Sequence, residues 1–246
     1  MDVITGVDSL RPQHGPIFAV IGVFDGLHRG HIYLLDHLVR GALEREARPA
    51  VITFDHHPDE VLTGSAPPLL LHPDERLTRL ADAGVEVTVV QHFDDAVRRT
   101  TYDDFIGIIK SGTALAGLLM TPDAAFGYQR AGTPDAVRAL GDRVGFDLLV
   151  VEPFEMDGAA VRSSDIRAAI ERGDLAGAER LLGRPVAVRG EGRDGRISFD
   201  WPMALPPAGE YSARVDGRPC RVAVEGATVR VPAGAGEGTV RLEFIS

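Results

Sequence analysis

The chain has 246 residues, enough for one or two domains with cores of their own. Hydrophobic content of 44% and charged content of 25% are ordinary for a globular protein, and a net charge of −10 argues against broad binding to nucleic acid or to anionic membrane, which needs a basic surface. A single cysteine, Cys220, excludes an intrachain disulfide and any cysteine-based zinc cluster.

The first fifteen residues, MDVITGVDSLRPQHG, lack a basic start followed by an apolar stretch, and no apolar run approaches membrane-spanning length. A cytoplasmic protein is the expectation. Residues 17–24, IFAVIGVF, form a buried-strand candidate. Residues 30–47 carry apolar side chains at Ile32, Leu35, Leu38, Val39, Ala42 and Leu43, which is a helical stripe. A strand follows at 49–54, a helix closed by Gly84 at 74–84, and a strand at 85–90. Residues 102–112 read as a helix ending on glycine, 115–120 and 147–154 as apolar strands, and 134–142 as the helix between them. Continuous apolar strands alternating with amphipathic helices predict an α/β architecture, a Rossmann-like doubly wound parallel sheet covered on both faces.

A last helical pattern occupies 174–183. From Arg184 the texture changes to six short alternating runs broken by glycine, which predict a small antiparallel β-barrel. The expected domains are therefore residues 1–183 and 184–246. Cys220 falls in one of these runs and reads as a small packed or surface residue, not as a nucleophile.

One stretch in the first domain bears chemistry. In VFDGLHRGHIYLL, two histidines stand three apart where the first strand gives way to a helix. Parallel sheets bind ligands beyond the carboxyl ends of their strands, and a helix starting there aims unpaired N–H groups at the crevice. Gly26 and Gly30 allow a tight turn and close approach of a ligand. Residues three apart on a helix face the same way, so His28 and His31 can aim their imidazoles at one spot, where they can donate hydrogen bonds and carry positive charge. Phosphoryl-type transfer needs mainly positioning and charge stabilisation. The bland alternative, one exposed histidine and one capping a turn, is weakened by the strand-to-helix placement.

The stretch GVFDGLHRGH resembles the G-x-F-D-G-x-H-x-G-H signature of the nucleotidylyltransferase superfamily, most closely the adenylyltransferase module of bacterial FAD synthetases. TFDHHPDEVL (53–62), AFGYQRAGTPD (125–135) and VRSSDIRAAIERGDLAGAERLLGRP (161–185) resemble further segments of that family in order. The resemblance covers residues 17 to 185 almost continuously. It implies that His28 and His31 bind the ATP phosphates and stabilise the transition state, and that Gly22, Phe24, Asp25, Gly26 and Gly30 shape the nucleotide pocket. Asp25 also suits a turn or capping role.

Ser163, Ser164 and Asp165 are good caps for a helix whose core face is Ile166, Ala169 and Ile170. By resemblance Ser163, Ser164 and Arg167 also meet the triphosphate, with Arg162 as an extra contact because guanidinium suits phosphate. This helix start is expected to form a second anion site facing the first. The resemblance places Phe54, His57 and Pro58 along the acceptor pocket, together with Asp123, Phe126 and Gly127. The adjacent pair His56 and His57 is not expected to hold a metal, because no third ligand is evident nearby and neighbours in a strand point apart. Magnesium is expected on the nucleotide phosphates, with few or no side-chain ligands.

The chain departs from the family pattern in three places. His56 replaces a proline, and Ala124 replaces an aromatic, which leaves space in the acceptor pocket. The C-terminal domain begins like a riboflavin kinase barrel but is short and lacks the P-T-A-N segment, FDWPMAL standing roughly there. The expected activity is AMP transfer from ATP to the phosphate of FMN, giving FAD and pyrophosphate, without riboflavin kinase activity. A different phosphorylated acceptor or nucleotide, and a non-catalytic flavin or nucleotide binder, are the alternatives.

Overall fold

A computed structural model describes residues 1–245. The chain divides into two compact units: residues 1–24, 31–66 and 77–154 in the first, and 25–30, 67–76 and 155–246 in the second.

The elements run in chain order as β1 (Asp2–Thr5), β2 (Ile17–Ile21), α1 (Arg29–Glu44), β3 (Arg48–Phe54), α2 (Asp59–Thr63), α3 (Pro73–Asp82), β4 (Val87–Gln91), α4 (Asp95–Arg99), α5 (Tyr102–Gly112), β5 (Leu115–Met120), α6 (Pro134–Val144) and β6 (Asp147–Val150). A hairpin of β7 (Glu155–Met156) and β8 (Ala159–Ala160) follows, then α7 (Ser163–Glu171) and α8 (Leu175–Leu182). The remaining strands are β9 (Ala187–Arg193), β10 (Arg196–Ser198), β11 (Gly209–Val215), β12 (Arg218–Glu225), β13 (Thr228–Arg230) and β14 (Gly238–Phe244).

The first unit is built on a six-stranded sheet in the order β1-β4-β3-β2-β5-β6. Every neighbouring pair is parallel. Its strands are apolar on both sides because both faces are covered. Ile17, Ala19, Ala50, Ile52, Val87 and Val89 share a core with Phe105, Ile106 and Ile109 of α5 and Val137 and Leu140 of α6. On the opposite face α1 lies close enough that a Cβ at Gly41 would stand 2.7 Å from the ring of Phe18. The doubly wound expectation holds, and the chain reverses direction across the sheet at β2, with β3 on one side and β5 on the other. Ligands of such sheets sit beyond the carboxyl ends of the strands at this switch point.

Several boundaries differ from the sequence reading; the run 17–24, for one, is strand only over Ile17–Ile21. The apolar run 147–154 pairs only over Asp147–Val150, because the segment after Val150 has no neighbouring strand to join. The N-terminal residues, read only for a leader, form β1 by pairing Asp2–Thr5 with Val87–Val90.

The second unit holds the closed barrel β10-β13-β12-β11-β14-β9, whose six strands fall in the six glycine-punctuated runs. Alternate residues point inward: Val222 and Val224, Val240, Leu242 and Phe244, Ala213 and Val215 are buried. Helices α7 and α8 share this core through Ile166, Ala169, Ile170, Leu175, Ala178 and Leu182. At Gly192 a side chain is excluded, since a Cβ there would stand 1.9 Å from the carbonyl oxygen of Gly236. Cys220 packs half-buried against the barrel core, and burial pushes its thiol pKa up, which fits the packed reading.

Among the described residues, no helix is long and apolar enough to cross a membrane.

Candidate functional site

The second unit gathers most of the predicted phosphate-facing residues around the turn 25–30. Asp25 is 3% exposed, and both its carboxylate oxygens accept the Leu70 N–H at 3.0 Å. Its Oδ2 also receives Arg167 Nη2 at 2.5 Å, while Arg167 Nε donates to the Pro68 carbonyl at 2.8 Å. Ser163 Oγ donates to the Asp25 carbonyl at 3.1 Å. α7 is thus bound to the turn by the Ser163 hydroxyl and the Arg167 guanidinium.

Arg184 completes this arrangement. Its Nη1 and Nη2 donate to the carbonyls of Leu27 at 3.2 Å and Gly26 at 2.5 Å. The turn needs such support because Leu27 holds a φ of 38° and, just before it, Phe24 holds 54°. Left-handed backbone at non-glycine residues costs about 1–3 kcal/mol each and persists only where surroundings impose it. Gly26, with φ 80°, takes that conformation without penalty, and a Cβ there would stand 2.9 Å from Leu70.

His28 is 3% exposed and lies in the second unit. Burial, with the charges of Arg184 and Arg167 adding to it, pushes its pKa down to about 4. Of the two roles open to an imidazole there, hydrogen-bond donation and positive charge, burial leaves the first: at neutral pH His28 is a neutral ring. Gly30 backs the ring so closely that a Cβ would stand 3.1 Å from it and 3.1 Å from the Val161 carbonyl.

The cap of α7 corrects the sequence reading. Arg162, not a serine, occupies the N-cap and makes no side-chain capping bond. Ser163 and Ser164 are already inside the first turn, and the Ser163 hydroxyl is engaged with Asp25 instead.

In the first unit, His31 packs on Phe24 with ring centroids 5.1 Å apart, and Gly22 lies against the same phenyl ring. A cavity of about 90 Å³ opens at the carboxyl ends of β2 and β5, the switch point of the sheet. It is lined by Val20, Ile21, Leu34, Met120 and Thr121 and by the loop residues Ala124, Ala125 and Phe126. Phe126 is held edge-on to Phe105 of α5 at 6.2 Å, and Asp123 accepts the Thr121 hydroxyl at 2.8 Å beside it. Gly127 has φ 75° and abuts the Tyr102 backbone, where a Cβ would stand 2.5 Å from the Tyr102 nitrogen. Phe54, His57 and Pro58 lie on the other side of β2, at the end of β3 and the start of α2. Phe54 meets Phe93 edge-on at 5.4 Å, and His57 Nδ1 accepts the Asp59 N–H at 3.2 Å. The predicted acceptor residues therefore form two groups flanking β2, and only the 121–127 group borders the cavity.

Beside the β3 group stand Asp55, His56 and His92. His92 Nδ1 lies 2.6 Å from Asp55 Oδ2. Partial burial works against the charged form of Asp55, yet hydrogen bonds from His92 and from the His56 backbone hold its pKa below the usual carboxylate range.

A family model described as FAD synthetase matches residues 10–165, the span that contains the strand-to-helix turn, the sheet and the first residues of α7. The chain belongs to the FAD synthetase family.

Two curated relatives of this FAD synthetase-family protein carry the name bifunctional riboflavin kinase/FMN adenylyltransferase. The one from Pseudomonas fluorescens is 32% identical over 191 residues, 77% of this chain and 61% of the relative. The one from Escherichia coli K12 is 33% identical over 194 residues, 77% of this chain and 62% of the relative. The chain thus spans about three-fifths of the length of these relatives. Among solved structures, one described as a macrolide-efflux protein from Streptococcus pneumoniae superposes with a TM-score of 0.82 at 22% identity, covering 99% of this chain and 90% of that one. At that identity the likeness is one of fold.

Sequence reasoning missed five residues. Arg184 sits in the LLGRP segment quoted for the resemblance, and its reach back to residues 26 and 27 has no local sequence signal. The Leu70 amide and Pro68 carbonyl are backbone groups, invisible to motif reading. Asp55 and His92 are 37 residues apart and meet only because β3 and β4 are neighbours.

Proposed function

We propose that this FAD synthetase-family protein transfers AMP from ATP to the phosphate of FMN, releasing FAD and pyrophosphate, and that it has no riboflavin kinase activity. The observation carrying this reading is the turn 25–30 locked to α7 by the Asp25–Arg167 pair and to the segment after α8 by Arg184. Such a turn offers backbone N–H groups, a neutral imidazole donor and guanidinium charge to a polyphosphate. The family membership and the names of the relatives support the substrates.

A phosphate oxygen of FMN attacks the α-phosphorus of ATP. The new P–O bond forms as the bond from the α-phosphorus to the β-phosphate oxygen breaks, and pyrophosphate leaves with the electron pair. The nucleophile is already anionic, so no general base is required. Catalysis then consists of aligning the groups and stabilising charge on the phosphate oxygens. His28, neutral above about pH 4, donates a hydrogen bond without adding a charge that varies with pH. Arg167 and Arg184 fix the turn and supply positive charge near it. His31 and Ser164 are assigned to the same phosphates, and Arg162 is assigned with them.

ATP is taken as its Mg²⁺ complex. The one carboxylate of the turn, Asp25, has both oxygens engaged by Leu70 and Arg167, so the ion is proposed to arrive on the phosphates as part of the substrate. The absence of kinase activity is proposed from the missing P-T-A-N segment, FDWPMAL standing roughly in its place.

A second reading keeps the chemistry and changes the acceptor. Ala124 and Ala125 line the cavity of the first unit, where the family motif carries an aromatic, so the space differs in shape from a flavin pocket. Incubation with Mg²⁺, ATP and FMN, followed by chromatography, tests the first reading directly: FAD and pyrophosphate are expected in equal amounts. No FAD, with pyrophosphate released from another phosphorylated compound, moves the assignment to the second. Parallel incubation with riboflavin is expected to give no FMN.

A further inference from the structure

We propose that Asp55, His56 and His92, at the carboxyl ends of β3 and β4, form a binding site for a divalent transition-metal cation of the Zn²⁺, Co²⁺ or Ni²⁺ class. One ligand atom from each residue can be chosen so that all lie within 4.8 Å of one another. His92 Nδ1 is 2.6 Å from Asp55 Oδ2, and His56 Nδ1 is 3.4 Å from Asp55 Oδ1. Ligands about 2.0–2.2 Å from a tetrahedral ion stand about 3.3–3.5 Å apart. The Oδ2–His92 pair reaches that spacing when a bound ion replaces the shared proton and the pair opens by less than about 1 Å, while His56 stands beside the other oxygen of the same carboxylate.

The backbone prepares the carboxylate for this role. The His56 N–H donates to Asp55 Oδ1 at 2.8 Å and the Phe93 N–H at 3.4 Å, which orient the group and leave Oδ2 turned toward His92. Outer hydrogen bonds of this kind fix ligand geometry in metal sites. The fold supplies the convergence: Phe54 pairs with Gln91 in the parallel register of β3 and β4, so the next residues on each strand, Asp55 and His92, emerge side by side. The two imidazoles meet edge to face, 6.2 Å between centroids at 85°, leaving the open corner of the triad to solvent, where His92 is exposed.

Donor chemistry selects the ion. Two imidazoles and one carboxylate suit zinc, cobalt and nickel, whereas Mg²⁺ favours oxygen ligands and retains its waters. Three protein ligands leave a position for water or another oxygen donor, the coordination of an open site. The inference is independent of which acceptor the protein uses.

The test is titration of the chelator-treated full-length protein with Co²⁺ followed by visible absorption, and with Zn²⁺ in competition with a chromophoric chelator, both without nucleotide. One equivalent is expected to bind, and a large excess of Mg²⁺ is expected not to displace it. Loss of an outer-sphere partner alone weakens metal sites about 10–100-fold, so His92→Ala and His56→Gln are each expected to weaken binding at least about tenfold. His92 is exposed, and unchanged thermal melting of His92→Ala establishes that the variant is folded. His14→Ala and His31→Ala are expected to bind as the parent does. No binding by the parent, equal binding by His92→Ala and His56→Gln, displacement by Mg²⁺, or loss on His31→Ala instead each overturns the proposal.

Discussion

Replacing Arg167 by methionine removes the guanidinium that neutralises Asp25 while keeping an unbranched side chain of similar reach. The pair is well buried, with side chains 11% and 4% exposed. Breaking a buried ion pair from one side costs about 3–5 kcal/mol, because the remaining charge is left uncompensated. Both Asp25 oxygens keep the Leu70 N–H at 3.0 Å, so the lower end, about 3 kcal/mol, is expected. For a domain of this size each kcal/mol shifts the melting temperature by about 2–4 °C, giving a fall of about 6–12 °C. The assay is thermal unfolding of the parent, Arg167→Met, Asp25→Asn and the double variant. Asp25→Asn in the Arg167→Met background removes the stranded charge, so the double variant should recover part of the loss, with a coupling of at least about 1 kcal/mol. The His28 pKa, followed by NMR, should rise from about 4 in Arg167→Met, since Arg167 is one of the charges holding it down. A melting shift below about 2 °C, or strictly additive effects, would refute the view that this pair anchors the turn.

Three other outcomes follow from the geometry. His28 titrates near 6.5 when unfolded and about 4 when folded, so the unfolded chain takes up the proton first. Its contribution is intact above about pH 6.5 and falls as pH drops toward 4, by roughly 3 kcal/mol in all at about 1.4 kcal/mol per unit. Urea midpoints of His28→Gln should show a shallower slope across that window, and equal slopes would contradict the assigned burial. Gly30→Ala places a Cβ 3.1 Å from the His28 ring and from the Val161 carbonyl. Displacing the imidazole should lower turnover at least about tenfold, since misplacement near 1 Å can cost about 10²-fold, and unchanged kcat would separate His28 from the reaction. Ala124→Phe fills part of the cavity lined by that residue and should raise the acceptor KM about tenfold, equivalent to about 1.4 kcal/mol, while leaving the ATP KM unchanged. A fall in the FMN KM would instead mark the cavity as too large for a flavin.

The sequence by itself determined the parallel sheet with helices on both faces, the six strands of the barrel and the strand-to-helix turn with its histidines. These rest on patterns local to the chain: apolar runs, helical stripes and glycine punctuation recur every few residues and reflect burial directly. It did not determine that residues 25–30 and 67–76 cluster with α7 and the barrel, nor that Asp25 is neutralised by Arg167 across 142 positions of chain. Such contacts depend on which elements pack together, and no local spacing encodes them. The charge state of His28 was likewise beyond motif reading, because an imidazole pKa follows burial and neighbouring guanidinium groups, not the residues on either side in the chain. The Asp55–His56–His92 triad has the same origin, a parallel register that sets the ends of β3 and β4 side by side.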